Sequence, residues 1–174
     1  MSFYPHRFET QVEPVDWNGT RYTIVRLPPE PVPDLPLARH PRLRVEGEVG
    51  EMAMVWTWNP TPAALGTGWF ACLSKEKLRE RDLVADDTVQ IAFSVADQEA
   101  VEVPHELAHA LQGDAAARIG WDALTPGRRR APAHTVKQAK RQETHDRRSA
   151  TIVATLARGD DPFPPRARHG KATP

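Results

Sequence analysis

The sequence has a single cysteine, Cys72, among its 174 residues. One thiol excludes an intrachain disulfide and a metal site built from several thiolates. Cys72 lies in the apolar run WFACL, which predicts a buried and unreactive side chain. We therefore expect a protein of a reducing compartment whose fold depends on packing alone.

Long apolar segments are also missing. No run approaches the roughly 18 apolar residues of a membrane span, and the opening MSFYPHRFET has no apolar signal segment. Phosphate-loop, G-x-G-x-x-G and G-x-S-x-G motifs are absent as well. These absences favour a cytoplasmic protein of bacterial type, without a membrane span, a cofactor or a common hydrolase site.

The chain has no net charge, because 23 Lys and Arg residues balance 23 Asp and Glu residues. The balance conceals an asymmetry. Residues 1–100 hold 10 basic and 15 acidic side chains, a formal charge of −5, whereas residues 101–174 hold 13 and 8, a formal charge of +5. A basic half attracts an anionic ligand or partner. The acidic half and the lack of a reading motif disfavour nucleic acid as that partner.

Alternating apolar and polar residues dominate the first hundred positions. This pattern predicts a small closed antiparallel β-barrel of about six strands. Asn18-Gly19 and Gly50-Glu51 predict tight hairpin turns, and six prolines within residues 28–41 predict a stiff extended connection. The predicted strands cover residues 7–12, 21–27, 42–49, 52–58, 68–73 and 88–95, with a short helix capped by Ser74 before the last.

Helical spacing replaces this alternation after residue 103, with Pro132 expected to kink or restart the third helix. On the second helix, Ile119, Ala123 and Leu124 are predicted to form an apolar stripe beside Trp121. The predicted helices cover residues 104–112, 115–124, 126–140 and 143–157. The sequence thus predicts an α+β protein with a β-barrel domain at 1–101, a three- or four-helix domain at 102–159 and a proline-rich, flexible tail at 160–174.

The segment His105-Glu106-Leu107-Ala108-His109 fits the pattern H-E-x-x-H. In zinc hydrolases with this pattern, two histidines one helical turn apart bind the metal and the glutamate acts as general base. A zinc-dependent hydrolase that uses His105, His109 and Glu106 is therefore an alternative function.

Three features argue against zinc at this segment, so no metal ligand is expected there. The histidines lie about 160–200° around the helix from Leu107 and Leu111, so buried leucines would turn them toward solvent. Ala115 occupies the place of the usual third histidine, although catalytic zinc needs three protein ligands. Pro104 also places His105 in the first helical turn, where ligand geometry is poorly fixed.

Two other groups of side chains are candidates for binding. Met54, Trp56 and Trp58 share one face of a predicted strand, where they would line a pocket or fill the barrel core. Basic residues of the last two helices would bind an anionic small molecule or protein if they converge on open surface, and would otherwise join helix to helix. These residues are Arg128, Arg129, Arg130, Lys140, Arg147 and Arg148.

The basic residues belong to a longer progression of motifs. It consists of Trp121-Asp-Ala-Leu-Thr-Pro-Gly-Arg-Arg-Arg, Ala139-Lys140, Glu143-Thr144, Arg147-Arg148 and Leu156-Ala-Arg-Gly159. This progression resembles the helical domain of the YdeI/OmpD-associated family, which is associated with bacteriocin protection. The first half is similar to the small β-barrel domain of unknown function that commonly precedes it, through Phe8, Leu27-Pro28, Val45-Glu-Gly47, Lys75, Asp87-Thr-Val89 and Val103-Pro104.

The resemblance covers residues 6–159 and implies a stress-protection protein linked to resistance against bacteriocins or antimicrobial peptides. It supplies no catalytic residues, and it implies that His105 and His109 are local substitutions. The sequence departs from the family pattern at Pro132, inside a normally uninterrupted helix, and at His145, where arginine is usual. The leading hypothesis is a non-catalytic binding protein with an anion-binding basic face, ahead of the zinc hydrolase and of a nucleic-acid-binding barrel.

Overall fold

The computed structural model describes residues 4–163, which form two compact units, one ending at Gln98 and one beginning at Glu99. The first, the β unit, contains β1 (His6–Gln11), β2 (Glu13–Trp17), β3 (Thr20–Leu27), β4 (Leu43–Val49), β5 (Met52–Pro60), β6 (Trp69–Leu73), α1 (Lys75–Glu80) and β7 (Thr88–Val95). The second, the helical unit, contains α2 (His105–Gln112), α3 (Ala115–Ala123), α4 (Pro126–Lys137) and α5 (Gln142–Ala157). The predicted α+β class is confirmed. None of the described helices has the length and apolar character needed to cross a membrane.

The seven strands form one curled antiparallel sheet, a half-barrel, in the order β1-β7-β4-β5-β6-β3-β2. Within the described residues no ladder joins β1 to β2, the two ends of this order. The prediction of an antiparallel sheet of about six strands is therefore broadly confirmed by the seven strands observed, whereas the predicted closure into a barrel is wrong. Sequence reasoning missed β2 because Pro14 interrupts its alternation, and an edge strand is where a sheet tolerates proline.

β1 and β2 are consecutive in the chain and are separated by Val12, whose side chain is fully buried. The Val12 N–H donates to the Asp87 carbonyl oxygen at 2.8 Å, and the Val12 carbonyl oxygen accepts from the Asp86 N–H at 2.8 Å. Before Val12 the chain pairs with β7 as β1, and after Val12 it pairs with β3 as β2. Residues 6–17 therefore supply the edge strands at both ends of the curled sheet, β1 at one end and β2 at the other.

Both predicted hairpin turns are confirmed. Asn18 and Gly19 have φ angles of 50° and 73°, and Gly50 and Glu51 have φ angles of 54° and 66°. Two consecutive residues in the left-handed region give the twist that a two-residue antiparallel hairpin requires. The turns fix the registers of β2 against β3 and of β4 against β5.

The proline-rich connection between β3 and β4 contains a helical turn and contributes to the core of the β unit. It forms a 3₁₀ turn at Val32–Asp34 and buries the side chains of Leu35 and Leu37 in the core of the β unit. The expectation of a purely extended loop is therefore wrong. Two leucines between the prolines supply apolar area that the fold removes from water.

The helical unit is built around a small apolar core to which all four helices contribute. Its buried members are Leu107, Leu111, Ala117, Trp121, Ala133, Val136, Ile152 and Leu156. The predicted stripe on α3 is wrong for Ile119, which is 72% exposed, and for the exposed Ala123, whereas Ala117 and Trp121 face the core and Leu124 packs against it. The helix α4 continues through Pro132 without restarting. The predicted tail is described to Phe163, and residues 164–174 lie outside the described residues.

Candidate functional site

The three residues considered for a barrel pocket lie in the core of the β unit. Trp58 is fully buried and Trp56 is nearly so, with ring centroids 5.9 Å apart. Both rings contact Phe93, each at a centroid distance of 5.8 Å, and Met54 packs against the same cluster. Edge-on and tilted aromatic packing of this kind shows that the apolar face of β5 fills the core of the β unit.

Cys72 lies on the outward face of β6 and is exposed, so the expected burial of its thiol is wrong. The strand alternation places its neighbours Ala71 and Leu73 in the core instead. Although the side chain is exposed, the surrounding atoms partly desolvate the sulfur, and this raises the pKa of the Cys72 thiol above its usual value. The side chain therefore stays in the protonated, poorly nucleophilic form at neutral pH.

The H-E-x-x-H segment forms the start of α2, with the orientation that the helical wheel predicts. Leu107 is fully buried and Leu111 is 6% exposed, whereas His105 and His109 are exposed and stack with ring centroids 6.3 Å apart. Within residues 4–163 there is no group of three or more His, Cys, Asp or Glu side chains arranged to hold a metal ion. The structure therefore brings the two histidines together and gives them no third protein ligand in its described part.

Glu106 is held as a carboxylate. Its Oε1 accepts a hydrogen bond from Gln142 Nε2 at 3.2 Å, and its Oε2 lies 3.9 Å from His145 Nδ1. A hydrogen bond from its own backbone N–H, followed by that from Gln142, lowers the pKa of Glu106 below its usual value. A general base for hydrolysis needs a pKa raised toward neutrality, so this environment does not favour the role that the zinc alternative gives Glu106.

A cleft of about 410 Å³ separates this face of α2 from the first turns of α5. Sequence reasoning considered its α2 side as a metal site but missed its α5 side, because nothing local relates positions 105–110 to positions 142–150. We call it the α2/α5 cleft. Its lining consists of His105, Glu106, His109, Ala110, Gln142, Asp146, Ser149 and Ala150.

Three of the six predicted anion-binding residues donate to backbone carbonyl groups. Arg129 donates from Nε to the Trp121 carbonyl oxygen at 2.9 Å and from Nη2 to that of Asp122 at 2.6 Å, at the end of α3. Arg148 donates from Nη1 to the Thr135 carbonyl oxygen in the last turn of α4. The Asp122 and Thr135 carbonyl groups lie in the last turns of their helices, where intrahelical partners are missing, while the Trp121 carbonyl oxygen also accepts from the Leu124 N–H at 3.1 Å. The third residue, Arg130, donates to the Ala100 carbonyl oxygen at 3.0 Å.

The remaining three predicted residues lie at the surface. Arg128 forms an ion pair with Asp161, while Lys140 and Arg147 are exposed. The predicted basic face is thus divided between arginines that donate to backbone carbonyl groups within the unit and cations that lie at the surface. The primary sequence does not distinguish them, because Arg147 and Arg148 are adjacent and chemically identical.

The structural role of Arg148 leads to a test with a built-in control. We expect Arg148→Met to lower the free energy of unfolding by about 1–3 kcal/mol, because it leaves the Thr135 carbonyl without its charged donor. Arg147→Met should change it by less than about 0.5 kcal/mol, as an exposed substitution. Urea unfolding followed by circular dichroism measures both. Equal midpoints for the two variants would contradict the capping role.

Arg147 and Arg148 also border a groove of about 250 Å³ between α4 and α5, here called the α4/α5 groove. Sequence reasoning missed Pro162 and Phe163 because it assigned both to the flexible tail. A phenylalanine between prolines in an otherwise polar segment was the available signal. The groove is lined by Pro132, Thr135, Arg147, Arg148, Thr151, Ile152, Pro162 and Phe163.

Comparison with known proteins bears on the helical unit. No curated protein and no solved structure matches the chain significantly. The sequence model of a family described as "Bacteriocin-protection, YdeI or OmpD-Associated" matches residues 100–159, which contain α2 to α5. The match does not include the β unit, so the predicted resemblance of that unit to the preceding barrel domain stays a prediction. Residues 100–159 thus match the family that their motif progression predicted, and this match supports the YdeI/OmpD-associated resemblance for the helical unit.

Proposed function

We propose that the protein is a non-catalytic binding protein with a role in bacteriocin protection, and that its α4/α5 groove binds an anionic group attached to an apolar body. The observation that carries this proposal is that two consecutive arginines, Arg147 and Arg148, line the same groove as the apolar residues Pro132, Ile152 and Phe163. The family match over residues 100–159 supports the protective role through the description of that family.

The two arginines offer complementary ways of holding an anion. Arg148 is partly buried and fixed by its hydrogen bond to Thr135, which leaves further guanidinium N–H groups for a ligand. Arg147 is exposed and can close over a bound anion. Arginine suits carboxylate and phosphate because its planar fork donates two parallel hydrogen bonds. One partly buried and one exposed guanidinium group in the same groove therefore favour a phosphate or carboxylate over a neutral ligand.

The rest of the groove favours an apolar body on that anion. Pro132 and Ile152 are buried in its floor, and Phe163 is 53% exposed at its edge. Covering an exposed phenylalanine contributes about 25 cal/mol for each Å² of apolar area removed from water.

Octyl phosphate is a direct probe of this site. We expect it to shift the amide resonances of residues around positions 132–135 and 147–152, and to bind more tightly than inorganic phosphate or octanol, each of which supplies one half of the interaction. Arg147→Glu should weaken binding by about tenfold or more, since it removes a charge-assisted hydrogen bond and adds repulsion. Titration followed by nuclear magnetic resonance measures the dissociation constants.

Arg118→Glu is the matched control, because Arg118 is an exposed arginine of α3 that does not line the groove. It makes the same change in net charge and should leave the dissociation constant within about twofold, since distant surface charges are screened by salt. Equal weakening by both variants, or octanol binding as tightly as octyl phosphate, would refute an anion site at Arg147.

A further inference from the structure

Ser149 is a buried polar residue whose position is not explained by packing. It is 1% exposed, and its hydroxyl oxygen has no hydrogen-bond partner within the described residues. Thr151 and Thr155 on the same helix instead donate to the carbonyl oxygens four residues earlier, at 2.9 and 2.8 Å. A buried hydroxyl without a partner costs stability. Ser149 lines the α2/α5 cleft, so a ligand in that cleft would supply the partner that the fold does not.

Two carboxylates meet in the same cleft. Gln142 Nε2 donates both to Glu106 Oε1 at 3.2 Å and to Asp146 Oδ1 at 3.0 Å. Oxygens that share one nitrogen donor are close to one another, so the amide of Gln142 holds a pair of negative charges together. The amino-terminal ends of α2 and α5 are also here, but a helix end carries only about half a positive charge, whereas each carboxylate carries a full negative one. The cleft therefore favours a cation.

The acceptors of the cleft match one kind of cation in number and type. A protonated primary amine has three N–H donors, and Glu106, Asp146 and Ser149 provide three oxygen acceptor groups. The methyl groups of Ala110 and Ala150 offer apolar contact for an alkyl stem. A metal ion fits less well, because the described residues hold no group of three His, Cys, Asp or Glu side chains arranged for one.

We propose that the α2/α5 cleft is a binding site for an alkylammonium group, with Glu106, Asp146 and Ser149 accepting its three hydrogen bonds. The site is separate from the α4/α5 groove, since no residue lines both. The same chemistry is present in a free alkylamine and in a lysine side chain, and a blocked lysine derivative distinguishes these two sources.

The first experiment titrates the full-length protein with n-butylamine at neutral pH and follows the amide resonances of residues 105–110 and 142–150. We expect saturable shifts there. Butyltrimethylammonium, which has the charge without N–H donors, and n-butanol, which has the stem without the charge, should bind at least about tenfold more weakly. If butyltrimethylammonium binds as tightly as butylamine, or if no saturable shift occurs with butylamine, the proposal is wrong.

Two variants test the named acceptors. Asp146→Asn and Ser149→Ala should each weaken butylamine binding, by about tenfold for the charged acceptor and less for the hydroxyl. Ser149→Ala should keep or raise the melting temperature, because it removes a polar atom that has no partner in the described structure. Loss of binding without loss of stability separates a ligand contact from a structural role.

The matched control is Glu143→Gln, which removes one exposed carboxylate from the first turn of α5 and does not alter the cleft lining. It should leave butylamine binding within about twofold. Equal weakening by Glu143→Gln and Asp146→Asn would show unspecific attraction and overturn the proposal. Binding that depends on His105 and His109, and that zinc abolishes, would also overturn it in favour of a metal site.

A last comparison identifies the source of the ammonium group. Nα-acetyl-lysine methylamide presents the same alkylammonium on a blocked backbone. Binding at least as tight as that of butylamine would assign the cleft to a lysine side chain of a peptide, whereas binding confined to butylamine would assign it to a free amine. Failure of both leaves the α4/α5 groove unaffected and counts against the cleft alone.

Discussion

Replacing Gly47 with alanine is expected to lower the free energy of unfolding of the β unit by about 3 kcal/mol or more, enough to unfold a marginal domain. Gly47 lies in β4 opposite Phe93 of β7. A Cβ atom at this position would lie 2.0 Å from the Ala92 carbonyl oxygen and 2.6 Å from the Phe93 Cα atom. These are backbone atoms of a paired strand, so they cannot rotate away as a side chain could. The two strands must separate to admit a methyl group.

Gly50→Ala provides the control within the same hairpin. Gly50 has a φ angle of +54°, and a Cβ atom there would meet no atom within 4 Å. Its replacement costs about 1 kcal/mol, from the left-handed backbone alone. Urea unfolding followed by the fluorescence of the buried Trp56 and Trp58 measures the difference. A Gly47→Ala midpoint equal to that of Gly50→Ala would show that β4 and β7 do not approach as closely as described.

The close approach at Gly47 illustrates the limit of local reasoning in the β unit. Alternation located six of the seven strands to within two residues at nearly every end, because each strand buries one face and exposes the other. Alternation does not state which strands are neighbours. The contact between Gly47 and Ala92 depends on the register of β4 against β7, two strands that are far apart in the chain, and the positions of β1 and β2 at opposite ends of the sheet depend on the change of partner at Val12.

The same limit applies to α3 in the helical unit. Its apolar residues surround much of the helix, so the sequence permits more than one buried face. The buried face of α3 is determined by its packing against α5. A Cβ atom on Gly120 would lie 3.1 Å from the Leu156 carbonyl oxygen, so the two helices are in close contact there. That contact turns Ala117 and Trp121 inward and leaves Ile119 exposed.

For the candidate sites, sequence predicted residue types better than residue roles. The sequence identifies Arg128–Arg130 and Arg147-Arg148 as clusters of positive charge. Whether each guanidinium faces solvent depends on carbonyl acceptors such as those of Trp121 and Thr135, which helix packing brings near. The helical periodicity of α2 predicted side-chain orientation correctly, because the burial of Leu107 and Leu111 fixes the direction of every other side chain on the same helix.

The inward orientation of Leu107 predicts a large loss of stability when this side chain is truncated. Leu107→Ala is expected to lower the free energy of unfolding of the helical unit by about 2–5 kcal/mol. Leu107 is fully buried in the apolar cluster with Leu111 and Trp121, so its truncation removes apolar contacts and leaves a cavity. A unit with such a small core has little stability to lose. The amide resonances of residues 105–157, followed through a urea titration, measure the change, because tryptophan fluorescence would combine Trp121 with the four tryptophans of the β unit.

His109→Ala on the same helix is the decisive control. His109 is exposed, so its removal should change the free energy of unfolding by less than about 0.5 kcal/mol, with or without added zinc. Alanine also has a higher helix propensity than histidine, which offsets any lost contact. If His109→Ala proved as destabilising as Leu107→Ala, α2 would present its histidines to the interior, and both the capping pattern of the helical unit and the α2/α5 cleft would have to be rebuilt around a different face of this helix.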